Sequence, residues 1–380
     1  MSPAPAFAAL SYPHSRKRPG RDRLPGLLDL LALTAEADDD PPSSRKGVIA
    51  IMKQLSRLMV LAIMLAVSPT VHAQPRYDII DMHFHADRPD AEGPPGGAIC
   101  APYPKWLPRD PGRPITDYLE RFSVHPDCQR SLIAPVDAAV LRDRGIAALR
   151  HFNMLALAGG DAVTVEDYRA RAPERILPSA GFGSDGVMPS INELRRLHAA
   201  GKLAALSEIT SQYAGIAPDD PKLEPYYALA EELDIPVGIH LGPGPPGTTY
   251  FATPDYRVAA GDPVRLEPVL IRHPKLRLYA MHAGWPFGDA MIAMLFAHPQ
   301  LYVDVAVLDY AYPEADFHAY LKRLIDAGME ERIMFGSDNM IWPDAIAIAV
   351  ERIRRAPFLN GRQKQLILHD NAARFLRIAG

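Results

Sequence analysis

The chain has 380 residues, of which 48% are hydrophobic and 23% charged, and its formal net charge is −4 at pH 7. This balance gives no basic face for nucleic acid and implies no charge-driven attachment to a membrane, so the expected partners are small molecules. A chain of this length can bury one large core or two ordinary ones, and whether it forms a homo-oligomer stays open.

The first 51 residues mix Pro, Arg, Asp and Ser around one short leucine patch and have no sustained hydrophobic period. We interpret 1–51 as disordered, or as an upstream extension of the reading frame that precedes a true start at Met52. A structured N-terminal extension is the alternative.

Residues 52–73 have the three parts of a secretory signal peptide. Lys53 and Arg57 precede an apolar run, 58–67, that is too short to span a bilayer stably, and 71–73 form a small-x-small cleavage site. The sequence therefore predicts a mature protein, 74–380, that is periplasmic or secreted and has no stable membrane span. A buried first helix of the fold is the alternative.

The only two cysteines, Cys100 and Cys128, lie in a segment rich in Pro and Gly, 86–135. In an exported protein this pair is expected to form one disulfide that closes the loop, the alternative being two free thiols. A long irregular connection of this kind is typical of a lid or a binding loop.

From residue 77 onward, apolar segments that read as strands alternate with helical patterns. The predicted strands are 77–85, 154–158, 176–181, 203–209, 236–241, 276–282, 301–307 and 332–338. The predicted helices are 137–151, 164–171, 190–200, 222–233, 264–272, 289–297, 316–327, 343–355 and 362–377. This pattern predicts an α/β fold, a (β/α)₈ TIM barrel with a long loop after strand 1. An open doubly wound sheet is the alternative, but no Gly-rich phosphate turn follows an early strand.

Metal-ligating side chains occur at the ends of these predicted strands. His83 and His85 are two residues apart on the first strand, so their imidazoles project to the same face. The carboxyl ends of barrel strands form one rim, which would bring further candidates to the same place: Glu208, His240, His282 and Asp338. A single histidine at a strand end is more often a loop anchor, but the joint placement of all six residues favours a metal site.

The strand-end motifs resemble those of the amidohydrolase superfamily, in particular the amidohydrolase-related branch that includes the relatives of aminocarboxymuconate-semialdehyde decarboxylase. The resemblance covers roughly residues 77–377. It rests on His83-x-His85, His240, Met281-His282-Ala283-Gly284, Phe335-Gly336-Ser337-Asp338 and the ending Asn371-Ala372-Ala373-Arg374-Phe375-Leu376.

The resemblance implies a divalent metal, with zinc expected, as one or two ions. The implied ligands are His83, His85, His240 and Asp338. Glu208 is either a further ligand, as in the two-metal TatD-like members, or an acceptor that fixes a histidine tautomer. His282 would bind a second ion or form a hydrogen bond to the substrate or the attacking water.

These roles predict a hydrolase that acts on an amide, ester or lactone. Asp338 would be the catalytic proton acceptor and His282 would polarise the scissile carbonyl. Trp285, Arg257 and Trp342 follow strand ends and are predicted to bind the substrate. A metal-dependent decarboxylase is the alternative, and a non-catalytic binder of metal or solute is a third, weaker hypothesis.

Overall fold

The computed structural model describes residues 77–251 and 253–378. The predicted upstream extension, 1–51, and the predicted signal peptide, 52–73, lie outside the described residues. No helix within the described ranges is long and apolar enough to cross a membrane.

In the described part of the chain, ten strands form two sheets. The strands are β1 (Ile79–His85), β2 (Ala98–Cys100), β3 (Ser131–Ile133), β4 (Met154–Gly159), β5 (Ile176–Phe182), β6 (Ala205–Ile209), β7 (Val237–Ile239), β8 (Leu278–Ala280), β9 (Tyr302–Asp304) and β10 (Ile333–Met334). The larger sheet has eight strands in the order β1-β4-β5-β6-β7-β8-β9-β10, and all of its pairings are parallel. These eight strands confirm the barrel and match the eight predicted segments.

Backbone hydrogen bonds close the ring between its first and last strands. Met82 N donates to Phe335 O at 3.0 Å, and Asp338 N donates to His83 O at 2.7 Å. The carboxylate of Asp81 adds a third link, because one of its oxygens accepts from His83 N at 3.0 Å and from Ser337 N at 2.9 Å. Closure of this kind removes the exposed edges that an open sheet would leave.

Helices alternate with the strands along the chain. They are α1 (Ile115–Leu119), α2 (Ala138–His151), α3 (Ala162–Arg171), α4 (Ile191–Ala199), α5 (Glu224–Leu233), α6 (Glu267–Arg272), α7 (Gly288–Ala297), α8 (Leu308–Ala311), α9 (Glu314–Asp326), α10 (Ala345–Arg355), α11 (Gly361–Gln365) and α12 (Asn371–Leu376). The predicted last helix is divided in two, because a wider π turn, Leu366–Asp370, separates α11 from α12. The short helix α8, directly after β9, was not predicted.

Alternation along the strands places side chains in two apolar clusters. On β1, Ile79 and Phe84 belong to the larger cluster between strands and helices, whereas Ile80 and Met82 belong to a smaller one. A register shift between Asp81 and Phe84, the stretch that contains His83, interrupts the regular pairing of β1 with β4. Layers of this kind fill the barrel, so its open functional face lies at the strand ends.

The long segment after β1 is an ordered excursion that packs on the barrel. It contains the hairpin of β2 and β3, the helix α1 and the disulfide between Cys100 and Cys128, whose Cα atoms are 5.9 Å apart. Tyr103 N donates to Ala311 O at 2.8 Å, and Trp342 Nε1 donates to Gly97 O at 2.9 Å. The predicted disulfide is confirmed, and the excursion is tied to the loops that follow β9 and β10.

Candidate metal centre

The six candidate residues converge although they span more than 250 positions of the chain. His83 and His85 lie on β1 and Glu208 on β6, while His240 directly follows β7. His282 and Asp338 lie in the turns that follow β8 and β10. Three overlapping groups of these residues place their ligand atoms within 4.8 Å of one another.

His83 and His85 form one of these groups with Glu208, and His83 forms another with His282 and Asp338. Glu208 Oε2 is 3.6 Å from His83 Nε2 and 3.8 Å from His85 Nε2. Asp338 Oδ1 is 3.7 Å from His83 Nε2 and 2.9 Å from His85 Nε2. Two ligands that are each about 2.1 Å from a tetrahedral ion are about 3.4 Å apart, so these separations fit one divalent cation.

Unpartnered atoms support the same fit. His83 Nε2 and His85 Nε2 are buried atoms with no hydrogen-bond partner among the residues that the structure describes. An unsatisfied buried polar atom is costly, and native proteins rarely leave one without a reason. A cation between the two histidines and the two carboxylates would satisfy both nitrogens.

The third group uses the other oxygen of Glu208. Glu208 Oε1 is 3.5 Å from His282 Nε2 and 4.0 Å from His240 Nε2. The rings of His240 and His282 meet edge to face, with centroids 4.7 Å apart. Glu208 therefore stands between two sets of histidines, which is the arrangement of a residue that could bridge two ions.

The turns that carry His282 and Asp338 have unusual backbone conformations. Both residues have a left-handed backbone conformation, with φ of 54° for His282 and 45° for Asp338. His282 N donates to Asp304 Oδ1 at 2.8 Å, and Tyr310 Oη donates to Asp338 O at 2.9 Å. Neighbouring groups thus hold two non-glycine residues in a conformation that is rare outside functional sites.

Oxygen atoms face the Nδ1 position of three of the four histidines. His83 Nδ1 is 3.3 Å from Asp304 Oδ2, His85 Nδ1 is 2.8 Å from Asp87 Oδ2, and His282 Nδ1 is 3.1 Å from Ala306 O. An oxygen acceptor fixes the proton on Nδ1 and leaves the Nε2 lone pair for a metal. Sequence reasoning missed Asp304, which ends β9 and is fully buried, although the strand-end signal that identified the other candidates applies to it.

Mutual electrostatics set the charge states in the metal-free site. Burial lowers the pKa of His83, but the carboxylates of Asp338 and Glu208 outweigh burial and raise that pKa well above its usual value. Burial raises the pKa of Asp338, but the positive charge of His83 and the close approach of His85 outweigh burial and hold the pKa at about 2. The carboxylate of Asp338 is therefore ionised throughout the neutral range.

The pKa values of His282 and His240 shift in opposite directions. Burial lowers the pKa of His282, but the hydrogen bond to Glu208 and the charge of Asp338 raise it overall. For His240, burial and the neighbouring His282 lower the pKa to about 4, so its ring is neutral near pH 7.

The three residues predicted to bind substrate have mixed surroundings. Trp285 packs edge to face on Tyr312, with ring centroids 4.5 Å apart, and its backbone N–H donates to His282 O at 2.9 Å. Arg257 donates to the carbonyls of Pro254 and Tyr256. Trp342 is buried under the long excursion and bonded to it. The substrate roles of all three stay predictions.

Tyr213 is a residue near the centre that the sequence reasoning missed. It lies in the 3₁₀ turn Ser211–Ala214 that follows β6, and its hydroxyl is 3.3 Å from His240 Nε2. Its ring stacks on Tyr256, with centroids 5.5 Å apart. A tyrosine after a strand end has no distinctive sequence signal, since such residues more often pack in the core.

Comparisons with known proteins give a family and a fold. The family model described as Amidohydrolase matches residues 80–378. No curated protein matches the chain.

Three similar solved structures share the fold at low sequence identity. The probable 2-pyrone-4,6-dicarboxylic acid hydrolase from Acinetobacter baumannii, with citric acid bound, is 15% identical with a TM-score of 0.51, covering 79% of this chain and 100% of that one. A 2,6-dihydroxybenzoate decarboxylase in complex with 2,6-dihydroxybenzoate is 14% identical with a TM-score of 0.50, covering 80% and 100%. A manganese-bound 5-carboxyvanillate decarboxylase mutant from Novosphingobium aromaticivorans is 14% identical with a TM-score of 0.50, covering 80% and 98%.

Proposed function

The chain belongs to the amidohydrolase family, and we propose that it is a metal-dependent hydrolase that cleaves an amide, ester or lactone bond of a small molecule. One observation carries the proposal. Two buried, unpartnered histidine nitrogens and two carboxylate oxygens meet at separations that fit one divalent ion, and one of those carboxylates is an ionised proton acceptor.

The proposed ligands are His83, His85, His240 and Asp338, with Glu208 as a further candidate. Imidazole and carboxylate together suit zinc, which is our proposed resident metal, and they also suit manganese. A divalent ion in this position would lower the pKa of a water molecule toward about 7.

Asp338 is the proposed proton acceptor of this reaction, and His282 is the proposed hydrogen-bond donor to the substrate. Asp338 Oδ1 faces His85 at 2.9 Å, so Oδ2 is the oxygen left to accept a proton from the attacking water. Because the pKa of Asp338 is about 2 in the metal-free site, the acceptor is ionised whenever the enzyme works near neutrality. His282 holds its Nδ1 proton on Ala306 O, so its protonated form donates from Nε2 to the substrate carbonyl oxygen.

Loss of carbon dioxide is the second candidate reaction. The same centre could stabilise negative charge on a carboxylated substrate, and two of the similar structures are decarboxylases of hydroxybenzoates or related acids. Likeness of fold does not choose between the two chemistries. A non-catalytic metal binder is less well supported, because simple binding does not need a proton acceptor at the ion.

Metal-loaded protein assayed on a panel of lactones, esters, amides and aromatic carboxylic acids tests the proposal. We expect metal-dependent release of a proton without gas for one of the first three classes, and loss of turnover when a chelator removes the metal. Release of carbon dioxide would establish the second candidate. Failure of the protein to bind any divalent metal would refute both.

We also propose that the protein is periplasmic or secreted. The sequence of residues 52–73 supports export, and the pairing of Cys100 with Cys128 suits an oxidising compartment. N-terminal sequencing of the protein recovered from the producing cells is the test. We expect the mature chain to begin near Gln74 outside the cytoplasm, and an uncleaved cytoplasmic chain would contradict export.

A further inference from the structure

Asn339 directly follows the proposed ligand Asp338, and its side-chain amide bonds to both backbone groups of His85. Its Oδ1 accepts from His85 N at 2.9 Å, and its Nδ2 donates to His85 O at 3.2 Å. Asn339 lies in the turn after β10, whereas His85 is the last residue of β1. Only 1% of Asn339 is exposed. One buried amide group therefore joins the two elements that carry His85 and Asp338.

The amide of Asn339 uses all four of its hydrogen-bonding positions. Nδ2 also donates to Met340 O at 3.1 Å, and Oδ1 also accepts from Ser337 Oγ at 3.3 Å. A peptide N–H only donates and a peptide carbonyl only accepts, so these partners fix which end of the amide is the NH₂ group. In the exchanged orientation His85 N–H would face a donor and both carbonyls would face an oxygen.

The backbone after β10 turns away before it could pair with His85. Backbone hydrogen bonds join β1 to this segment as far as Asp338, whose N–H donates to His83 O at 2.7 Å. Asp338 and Met340 then have positive φ angles of 45° and 43°, which are incompatible with an extended strand. The side chain of Asn339 takes the place of the next peptide group beside His85. Its removal would leave the N–H and C=O of His85 without these partners.

We propose that Asn339 is a positioning residue of the metal centre, whose amide fixes the backbone of His85 relative to Asp338 before an ion binds. The separation that it maintains is the 2.9 Å between His85 Nε2 and Asp338 Oδ1. Ligands that are already in place lose little conformational freedom when the ion binds, so a fixed His85 favours tight binding. This inference rests on the proposed metal-dependent function, and Asn339 acts only through its two neighbours.

His85 needs such support more than His83 does. It is the last residue of β1, and 16% of its side chain is exposed, against 3% for His83. His83 lies two residues inside the strand, where its N–H donates to Asp81 Oδ1 at 3.0 Å. Strand ends open more readily than strand interiors, so loss of the Asn339 amide would loosen one ligand and leave the other in place.

Asn371 provides a matched control at the opposite end of β10. It is fully buried, and its Nδ2 donates to the backbone oxygens of Ile333 at 2.7 Å and Glu330 at 2.8 Å. Its amide thus also holds backbone groups, but at the start of β10, whereas the metal centre lies beyond the end of that strand. Asn371→Ala therefore measures the effect of removing a buried amide that does not hold a ligand.

Amide hydrogen exchange of the metal-free protein tests the contact directly, with the amides inside β4 as the reference for overall stability. We expect the N–H of His85 to be protected in the native protein. In Asn339→Ala it should exchange at least about fivefold faster, the change expected for loss of one hydrogen bond. Asn371→Ala should leave the relative rate at His85 unchanged. Rapid exchange of His85 N–H in the native protein, or an unchanged rate in Asn339→Ala, would overturn the inference.

Zinc affinity and a cobalt spectrum give the second readout. Loss of a residue that supports a ligand typically weakens metal binding 10–100-fold, so Asn339→Ala should bind zinc at least about 10-fold more weakly, and Asn371→Ala should stay within about threefold of the native protein. The visible absorption of bound cobalt reports the coordination geometry, and it should change in Asn339→Ala only. Native zinc affinity in Asn339→Ala, or an equal loss in Asn371→Ala, would contradict the positioning role. Should Asn339→Ala not fold, Asn339→Ser takes its place, because the shorter side chain cannot reach both backbone groups of His85.

The outcomes separate this inference from the proposed function. If the native protein binds no divalent metal, the proposed function fails, and hydrogen exchange of the metal-free protein still tests the contact between Asn339 and His85. If zinc binds equally well to the native protein and to Asn339→Ala, the proposed function survives and the inference fails.

Discussion

Replacing Asp304 by Asn tests how the fold prepares His83 to bind a metal. Asn keeps the Oδ1 oxygen that accepts from His282 N at 2.8 Å and from Ala306 N at 3.2 Å. It replaces the oxygen 3.3 Å from His83 Nδ1 by an NH₂ group. The substitution therefore changes one atom at the metal site and preserves the backbone contacts.

The size of the effect follows from that single atom. An amide donor opposite His83 Nδ1 favours the tautomer with the proton on Nε2, so metal binding must either expel that proton or do without the ligand. A buried donor that faces another donor in place of an acceptor costs about 1–3 kcal/mol. Changes of an outer partner of a ligating histidine typically weaken metal binding 10–100-fold, which equals about 1.4–2.7 kcal/mol and agrees with that cost.

Competition of the protein with a chromogenic chelator for zinc measures the affinity. We expect Asp304→Asn to weaken binding near the upper end of that range, with the melting temperature of the metal-free protein almost unchanged. Asp309→Asn is the matched control, because Asp309 is equally buried and neither of its oxygens has a hydrogen-bond partner within 77–251 and 253–378. Unchanged zinc affinity in Asp304→Asn, or an equal loss in Asp309→Asn, would refute the reasoning.

Three further predictions use the same centre and the excursion above it. Asp338→Asn should lower turnover at least about 100-fold while the protein stays folded, because a positioned proton acceptor contributes about 10²–10⁴-fold. Steady-state kinetics measure the turnover and circular dichroism checks the fold. Retained turnover would exclude Asp338 as the proton acceptor. Without metal, protonated His83 and His85 stabilise the fold below about pH 6.5, because their pKa values are raised, and this stabilisation is lost as the pH rises through the raised values. Ionised Asp338 stabilises the fold above about pH 4, and its contribution is lost on acidification. The melting temperature in chelator should therefore peak between these limits, and a rise from pH 6.5 to 9 would contradict this. Replacing Cys100 and Cys128 together by Ser should lower the free energy of unfolding by about 3–4 kcal/mol, the chain-entropy value for their separation, as measured by urea titration; an unchanged midpoint would show that the excursion does not need the bond.

Much of the fold could be predicted because each barrel strand is a continuous apolar run of its own. Met154–Gly159, for example, is buried at five of its six positions. The hairpin of Ala98–Cys100 and Ser131–Ile133 was missed, because three-residue strands in a Pro-rich segment have too few positions to show a period. The end of the chain was predicted as one helix because a π turn keeps the helical spacing nearly intact.

Sequence reasoning identified the site residues that have both metal-ligating side chains and a place at a strand end. It was less able to identify residues whose role depends on their place in the fold alone. His83 and Asp338 carry ligand chemistry at strand ends, so the barrel's geometry brings them together. Gln212, in the turn after β6, has no such chemistry, and its contact with the site depends on one amide nitrogen that is 2.6 Å from His240 Nδ1 and 3.0 Å from the Gly242 carbonyl oxygen. This arrangement depends on two separate loops and leaves no spacing signal in the sequence.

Crystals grown with zinc or manganese, and measured at the absorption edge of that metal, test the central claim most directly. The account predicts one anomalous peak per chain, about 2.0–2.2 Å from His83 Nε2, His85 Nε2 and Asp338 Oδ1. A peak elsewhere, or no peak in crystals that contain the metal at saturating concentration, would contradict it.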